Sequence, residues 1–133
     1  MNERKLMDQA FDMLSRSYVP YSGFPVGAAL LCSDGTVFTG CNVENAAYGS
    51  TICAERTALV KAVSEGHRDD LIAIAIAGRS EDYCWPCGAC RQMLYEFNPA
   101  MTVLVAKGSG DFVSLPLSRL MPHGFGPKSL KIE

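Results

Sequence analysis

Three features are absent from this 133-residue chain, and each absence excludes a class of protein. No apolar run approaches the roughly 20 residues that a helix needs to cross a membrane, so we expect no membrane span. Lysine and arginine total 12 against 14 aspartates and glutamates, and no basic cluster forms the stripe that binds a nucleic acid backbone. Repeats, low-complexity segments and linkers are also lacking. We therefore predict a single domain, residues 1–133, whose partner is a small molecule rather than a nucleic acid or a membrane.

The start of the chain and its cysteines indicate the compartment. Residues 1–5 are mostly polar and predict the opening of a helix rather than a signal peptide, so we expect a cytoplasmic protein. Six cysteines could form three disulfides, but disulfide scaffolds are usually short chains with poor cores, and 48% of this chain is hydrophobic. Metal ligation is the better interpretation for the clustered cysteines. Cys32 and Cys41 fall in predicted strands, where we expect small buried apolar side chains.

Hydrophobic periodicity predicts helices alternating with strands. Segments predicted to be helical are residues 3–17, 53–65, 87–97 and, briefly, 116–120. Short apolar runs predicted to be strands are residues 26–32, 36–41, 71–77, 101–106 and 111–115. Asp34-Gly35 between the first two runs is a strong hairpin signal. This order predicts an α/β fold, a mixed sheet with helices on both faces, in which the long helical crossovers join parallel strands.

Three cysteines are candidate ligands for one zinc ion: Cys53, and then Cys87 and Cys90 some thirty residues later. A structural zinc site has four protein ligands, whereas a catalytic site has three and leaves the fourth position to water. Cys53 lies at one predicted helix N-terminus and the pair Cys87 and Cys90 at another, where the helix dipole lowers the pKa of a thiol. Glu55 can lie beside the metal without binding it and take a proton from water. The pattern predicts a catalytic metal site.

Cys84 leaves an alternative open. With Cys87 and Cys90 it completes a Cys-x-x-Cys-x-x-Cys run, which together with Cys53 could form a closed four-cysteine zinc site or hold an iron–sulfur cluster. Two observations argue against both alternatives. Ferredoxin runs continue to a fourth nearby cysteine, and none follows Cys90; a closed zinc site would also leave Glu55 without a task.

Several other side chains have two interpretations. Tyr21 and Phe24 are either core anchors or walls on which a ring stacks, and from the sequence alone we favour the core. Asn42 and Glu44 lie in a loop that leads into the first half of the metal site, where they can contact a ligand; a solvated loop is the alternative. His67 follows a helix end and is predicted to be a surface or capping residue.

The motifs Asn42-Val43-Glu44-Asn45, Cys53-Ala54-Glu55-Arg56 and Pro86-Cys87-Gly88-Ala89-Cys90-Arg91-Gln92 resemble those of a known family. Nearly end to end, the chain is similar to the small homotetrameric cytidine deaminases, which are zinc enzymes. The resemblance implies a three-layer sandwich in which helices cover both faces of a five-stranded mixed sheet. It further implies one Zn²⁺ per chain and hydrolysis of cytidine or deoxycytidine to the uridine compound and ammonia in pyrimidine salvage. The runner-up is a deaminase acting on a base flipped out of a polynucleotide, against which the acidic balance argues.

The resemblance also assigns residues to the site. Cys53, Cys87 and Cys90 become the zinc ligands, and Glu55 becomes the proton shuttle that serves N3 of the base and the leaving amine. The expected substrate contacts are the sugar 3'-hydroxyl with Asn42 and Glu44, the pyrimidine with Phe24, and the base with the backbone N–H of Ala54.

Two further residues follow from the resemblance. Phe125 matches an aromatic residue that the family inserts into a neighbouring subunit's site, so we expect a homo-oligomer with sites shared between subunits. Three thiolates leave a zinc site with a formal charge of −1, and we expect the Arg56 guanidinium to donate to the sulfurs and reduce that charge. The alternative for Arg56 is a solvent-exposed helix residue.

Overall fold

Five strands form one sheet in the computed structural model, which describes residues 1–130. They are β1 (Val26–Cys32), β2 (Val37–Cys41), β3 (Leu71–Gly78), β4 (Thr102–Ala106) and β5 (Phe112–Pro116). Their order across the sheet is β2-β1-β3-β4-β5, with β3 and β4 parallel and the other neighbours antiparallel. The predicted five-stranded mixed sheet is confirmed.

Helices cover both faces of this sheet. They are α1 (Glu3–Asp12), α2 (Ala54–Ser64), α3 (Gly88–Phe97) and the short α4 (Leu117–Leu120). The apolar side of α1 packs on one face against alanines and Leu104 of the central strands. On the opposite face, α2, α3 and α4 pack against the larger side chains of β1, β3 and β4. This confirms the three-layer sandwich.

The first helix is shorter than predicted. The α-helix ends at Asp12, and a 3₁₀ turn over Leu14–Arg16 replaces the rest of the predicted residues 3–17. The N–H of Arg16 donates to the carbonyl of Met13 at 3.0 Å, which is the tighter bonding pattern of a 3₁₀ turn. Apolar spacing is nearly the same for both windings over one turn, so the sequence pattern did not separate them.

The predicted hairpin joins β1 and β2. Asp34 Oδ1 accepts the N–H of Thr36 at 2.9 Å, and the N–H of Cys32 donates to the carbonyl of Thr36 at 2.8 Å. Gly35 has φ +94°, a conformation that glycine adopts without steric cost. The Asp-Gly pair therefore closes the turn as predicted.

The two long crossovers bring two helix starts to one edge of the sheet. The strands β2 and β3 run in the same direction because both are antiparallel to β1, which lies between them. Their ends are level, since Cys41 pairs with Gly27 and Gly78 pairs with the adjacent Val26. The chain leaves β2 toward α2 and leaves β3 toward α3, so both helices begin near this edge.

All six cysteines are free thiols. Cys32 is 1% exposed, as expected of a small apolar side chain, whereas Cys41 is only half-buried and its Sγ donates to the carbonyl of Arg16 at 3.5 Å. Within residues 1–130, no helix combines the length and apolar character that crossing a membrane requires.

Candidate metal and catalytic site

The three predicted metal ligands meet where α2 and α3 begin. Cys53 and Cys87 are the N-cap residues of these helices, with extended backbones, and Cys90 lies in the first turn of α3. The close approach of β2 to α2 helps to set this position: a Cβ at Gly40 would collide with the carbonyl oxygen of Ala54. Only glycine fits there, so the helix start is held against the strand.

The sulfur spacing fits a tetrahedral zinc ion. Sγ of Cys53 lies 3.8 Å from Sγ of Cys87, which lies 3.4 Å from Sγ of Cys90, and all three lie within 4.8 Å of one another. Zinc–sulfur bonds of about 2.3 Å in a tetrahedron separate the sulfurs by about 3.8 Å. The Cys84 sulfur is not part of this group. The cluster is thus suited to a zinc ion held by three thiolates.

The electrostatics of the cluster favour an ionised sulfur at Cys53. Hydrogen bonds from Cys90, Arg56 and Cys87 lower the pKa of Cys53 to about 5, against the opposing effect of burial. The pKa of Cys90 is raised because its thiol donates to Cys53 and is desolvated. Thiolate is the form that binds metal, so Cys53 already favours the binding form, whereas Cys90 would lose its proton when a metal binds.

Glu55 lies in the first turn of α2 and is 4% exposed. Burial is the main reason that its pKa rises to about 7, and the neighbouring Cys53 thiolate raises it further. A carboxyl group with a pKa near the working pH both accepts and donates a proton readily. Glu55 thus lies buried near Cys53 with a pKa close to neutrality, and its role as proton shuttle stays a prediction.

Arg56 points toward the sulfur cluster rather than into solvent. Its Nη2 lies 3.4 Å from Sγ of Cys53 and 3.5 Å from the carbonyl oxygen of Thr51. Its Nε is buried and has no hydrogen-bond partner within residues 1–130. The pKa of Arg56 is raised, first by the hydrogen bond to Cys53. The interpretation of Arg56 as an exposed helix residue is therefore wrong.

A cavity of about 190 Å³ opens over the cluster. Its lining includes two cysteines of the cluster, Glu55 and three of the predicted substrate contacts. The full lining is Phe24, Val26, Asn42, Thr51, Cys53, Ala54, Glu55, Cys84, Trp85 and Cys87. A neighbouring groove of about 290 Å³ shares Thr51 and contains Tyr21, Ser22, Glu44 and Tyr48. Clefts of about 350 Å³ beside α1 and about 340 Å³ beside Lys107 are larger, but neither is lined by Glu55 or by a cysteine of the cluster.

Asn42 and Glu44 are fixed by backbone hydrogen bonds. The Oδ1 of Asn42 accepts the N–H of Val26 at 2.9 Å, and its Nδ2 donates to the carbonyl of Phe24 at 2.8 Å. The Oε1 of Glu44 accepts the N–H groups of Tyr21 and Ser22 at 3.0 and 3.1 Å. Hydrogen bonding by the Ser22 side chain first, and then by these N–H groups, lowers the pKa of the carboxyl. One amide hydrogen of Asn42 and Oε2 of Glu44 remain for a ligand, as far as residues 1–130 show.

The aromatic residues of the helix-breaking segment are not in the core. Tyr21 is 51% exposed and Phe24 is 46% exposed, so the core interpretation is wrong for both. Phe24 lines the cavity, and Tyr21 contacts Tyr48 edge-to-face with ring centroids 5.6 Å apart. Polar backbone groups at Tyr21 and Ser22 bond to Glu44, which holds this segment over the groove instead of burying it.

The start of α2 leaves backbone donors for a ligand. Thr57 is the first residue whose N–H donates within the helix, to the carbonyl of Cys53 at 3.0 Å. The N–H groups of Ala54, Glu55 and Arg56 therefore lie outside the helical ladder. Ala54 lines the cavity, as its predicted contact with the base requires.

Phe125 is not brought into this cavity. It is 57% exposed and lies in the segment after α4, where Gln92 Nε2 donates to its carbonyl at 2.8 Å. The flanking residues Gly124 and Gly126 lie against the ring of Tyr95 so closely that a Cβ at Gly124 would come within 2.6 Å of it. The chain thus presents Phe125 outward.

The sequence analysis missed several residues of the site. Thr51 and Trp85 line the cavity, and Arg91 supports it: Nε donates to the carbonyl of Pro86 and Nη1 to that of Leu120, each at 2.8 Å. Arg91 stood in a motif that carried the family resemblance, and that was its only signal. Thr51 and Trp85 had none, because their position depends on how the loops fold back.

Comparison with known proteins identifies the family. Residues 1–106 match the family model described as the cytidine and deoxycytidylate deaminase zinc-binding region. This chain belongs to the cytidine deaminase family. It is 46% identical over 131 residues to the cytidine deaminase of Sporosarcina psychrophila, which covers 98% of this chain and 96% of that one. Identity to the Halalkalibacterium halodurans cytidine deaminase is 48% over 126 residues, covering 94% and 95% of the two chains.

Solved structures support the same relationship. The cytidine deaminase of Burkholderia pseudomallei superimposes with a TM-score of 0.91 at 43% identity, covering 94% of this chain and all of that one. The Mycobacterium tuberculosis enzyme gives a TM-score of 0.81 at 38% identity, over 95% and 98% of the chains. The cytidine deaminase fold and the cysteine triad suited to zinc are therefore present together in this protein.

Proposed function

We propose that this protein is a zinc-dependent hydrolase that converts cytidine and deoxycytidine to uridine and deoxyuridine and releases ammonia. The observation that carries this proposal is the position of Glu55, buried and weakly acidic, in one cavity with two of the three clustered cysteines. A three-cysteine set leaves a fourth metal position open, which is what hydrolysis requires and a closed structural site lacks.

The chemistry needs a nucleophile and a proton carrier. A zinc ion held by Cys53, Cys87 and Cys90 supplies Lewis acidity that makes water nucleophilic near neutral pH. Glu55 accepts a proton from the attacking water as the new C–O bond forms at C4 of the base, and it delivers that proton to N3. It then transfers the second proton of the water to the amine as the C–N bond breaks. Water and cytidine are thereby converted to uridine and ammonia.

We propose that the substrate occupies both the metal cavity and the neighbouring groove. The metal cavity takes the pyrimidine, with Phe24 against the ring and the N–H of Ala54 toward a polar group of the base. The sugar extends over Thr51 toward the second groove, so that its 3'-hydroxyl lies between Asn42 of the metal cavity and Glu44 of the groove, which both have remaining hydrogen-bonding capacity. Backbone hydrogen bonds already hold both side chains in place, so little ordering entropy is lost on binding.

We further infer that the protein is a homotetramer whose sites are completed across subunit interfaces. The exposed, outward-held Phe125 supports this, because an aromatic ring at 57% exposure is suited to a partner surface. Such a surface is offered by the exposed side chains of Tyr48, in the neighbouring groove, and Trp85, in the metal cavity. A role in cytoplasmic pyrimidine salvage is part of the same proposal.

The experiment measures metal content and loss of cytidine absorbance for the wild-type protein and for Glu55→Gln. We expect about one zinc per chain in both and a loss of at least about a hundredfold in kcat for the variant, because the proton carrier is removed. Glu65→Gln, at the other end of α2, is the matched control and should keep full activity. A wild-type protein with bound metal but no activity on either nucleoside would refute the assignment.

A second arm tests the substrate class. The same protein is incubated with a cytosine-containing single-stranded oligonucleotide at matched cytosine concentration. We expect no deamination, since the chain has a net charge of −2 and no basic cluster to hold a phosphate backbone. Deamination of the oligonucleotide faster than of cytidine would favour the polynucleotide alternative.

A further inference from the structure

A second group of metal-ligating side chains lies at the opposite end of β1 from the catalytic site. Cys32 ends β1, Asp34 lies in the turn that follows, and His67 and Asp70 lie in the loop between α2 and β3. Val26, at the other end of the seven-residue strand, lines the catalytic cavity. The two groups are thus about 20 Å apart along the strand.

The fold brings these four side chains to one point. Each offers a ligand atom, a thiol sulfur, a ring nitrogen or a carboxylate oxygen, and all four atoms lie within 4.8 Å of one another. The N–H of Ser33 donates to the carbonyl of Asp70 at 2.8 Å, which ties the hairpin turn to the α2–β3 loop. The β1–β3 ladder shifts register between Leu31 and Cys32. Such an irregularity redirects a side chain at the end of a strand.

The orientation of His67 is fixed from two sides. Its Nδ1 lies 2.8 Å from Oδ2 of Asp70, and its ring lies against Phe38 with centroids 5.4 Å apart. The predicted surface or capping role of His67 is therefore incomplete, since the ring is half-buried and engaged. These two contacts hold the ring beside the thiol of Cys32 and the carboxylates of Asp34 and Asp70.

The charges of this group favour a bound cation. Two carboxylates and a thiol face one imidazole, and the pKa of Cys32 is raised to about 11 by burial first and then by Asp70 and Asp34. The two carboxylates raise the pKa of His67 as well, so a cation is favoured at this point. A divalent ion would provide that positive charge and displace the thiol proton.

We propose that Cys32, Asp34, His67 and Asp70 form a second metal site, which binds Zn²⁺ or a cation of similar softness. One sulfur, one nitrogen and two oxygens are a donor set that Zn²⁺ accepts, and four protein ligands make a closed, structural site rather than a catalytic one. Ligand atoms in such a tetrahedron lie about 3.4 Å apart, and the four atoms of this cluster already lie within 4.8 Å of one another. The ion would join the β1–β2 hairpin to the loop after α2.

The test begins with protein that carries one zinc per chain and measures binding of added Zn²⁺ by calorimetry. We expect a second saturable equivalent in the wild type, weakened at least about tenfold by Asp70→Asn and by His67→Gln, which each remove a ligand. Asp69→Asn removes the adjacent exposed carboxylate and is the matched control, with unchanged binding. Added Zn²⁺ should raise the melting temperature of the wild type and of Asp69→Asn only.

Cobalt tests the sulfur ligand directly. Co²⁺ added to the one-zinc protein should give a thiolate charge-transfer band that Cys32→Ser abolishes and Asp69→Asn retains, with the zinc content still one per chain. Cytidine turnover should be the same in the Asp70→Asn and His67→Gln variants as in the wild type, because the second site lies outside the catalytic cavity. Absence of a second equivalent, or a second equivalent that both of these variants bind as tightly as the wild type, would overturn the proposal.

Discussion

The guanidinium of Arg56 lies 3.4 Å from the sulfur of Cys53, three residues earlier on the same helix start. Cys53 is the sulfur with the lowered pKa, to about 5, and Arg56 is one of the causes. A permanent positive charge thus lies beside the most acidic thiol of the cluster. We predict that this charge would offset the negative charge that three thiolates give to a bound metal.

This contact predicts the effect of replacing Arg56. In Arg56→Ala we expect zinc to be retained and kcat for cytidine to fall about ten- to a hundredfold, because a hydrogen bond to a charged group is worth about 1.5–3 kcal/mol. Arg56→Lys keeps the charge but not the planar guanidinium, so its kcat should lie between those of the wild type and Arg56→Ala. Metal analysis and steady-state kinetics on all three proteins decide the matter. Unchanged kinetics in Arg56→Ala would rule out charge tuning.

A second prediction concerns Cys84, the candidate fourth ligand. Its sulfur is not part of the cluster, and burial raises its pKa to about 11, so it remains a neutral thiol on the cavity wall. Cys84→Ser should therefore keep one zinc per chain at the catalytic site and retain cytidine deamination. Zinc content and kcat/KM are the measurements. Loss of the metal in this variant, with the fold intact by circular dichroism, would restore the closed four-cysteine alternative.

A third prediction concerns the segment that presents Phe125. A methyl group at Gly124 would press against the Tyr95 ring at 2.6 Å, so Gly124→Ala should displace Phe125. We expect KM for cytidine to rise several-fold, and the effect should be absent when Phe125→Ala is already present, since the two changes act on one contact. Gly49→Ala, where the added carbon meets nothing within 4 Å, is the control. Additive effects of the Gly124 and Phe125 changes would contradict this role.

The His67–Asp70 pair predicts a pH dependence of stability. Asp70, through its hydrogen bond, is the first cause of the raised pKa of His67, so the folded state binds a proton more tightly than the unfolded state. The stabilisation is complete below the ordinary pKa of about 6.5 and is lost as the pH rises through the higher folded value. Without added metal, the melting temperature of Asp70→Asn should fall below that of Asp69→Asn at pH 5.5 and approach it at pH 8.5. A difference independent of pH would exclude the titration of His67 as its cause.

Much of the fold could be predicted from local patterns. The Asp34-Gly35 turn, the apolar runs of the strands and the helices that begin at Cys53 and Cys87 have short-range causes, and the structure places them within a few residues of the predicted bounds. The predicted end of the first helix was wrong because α and 3₁₀ helices have nearly the same apolar spacing over one turn. The prediction that Tyr21 and Phe24 lie in the core was wrong because a helix-breaking aromatic segment is compatible with either a core or a cavity wall.

The sequence by itself determined the chemistry: clustered cysteines at metal-ligand spacing, one carboxylate two residues after the first, and motifs shared with a deaminase family. Those are properties of residue type and short spacing. The tertiary structure decided which groups meet, because meeting depends on strands and loops far apart in the chain. It separated Cys84 from the sulfur cluster, directed Arg56 at Cys53, kept Phe125 outside the cavity and joined Cys32 and Asp34 to His67 and Asp70.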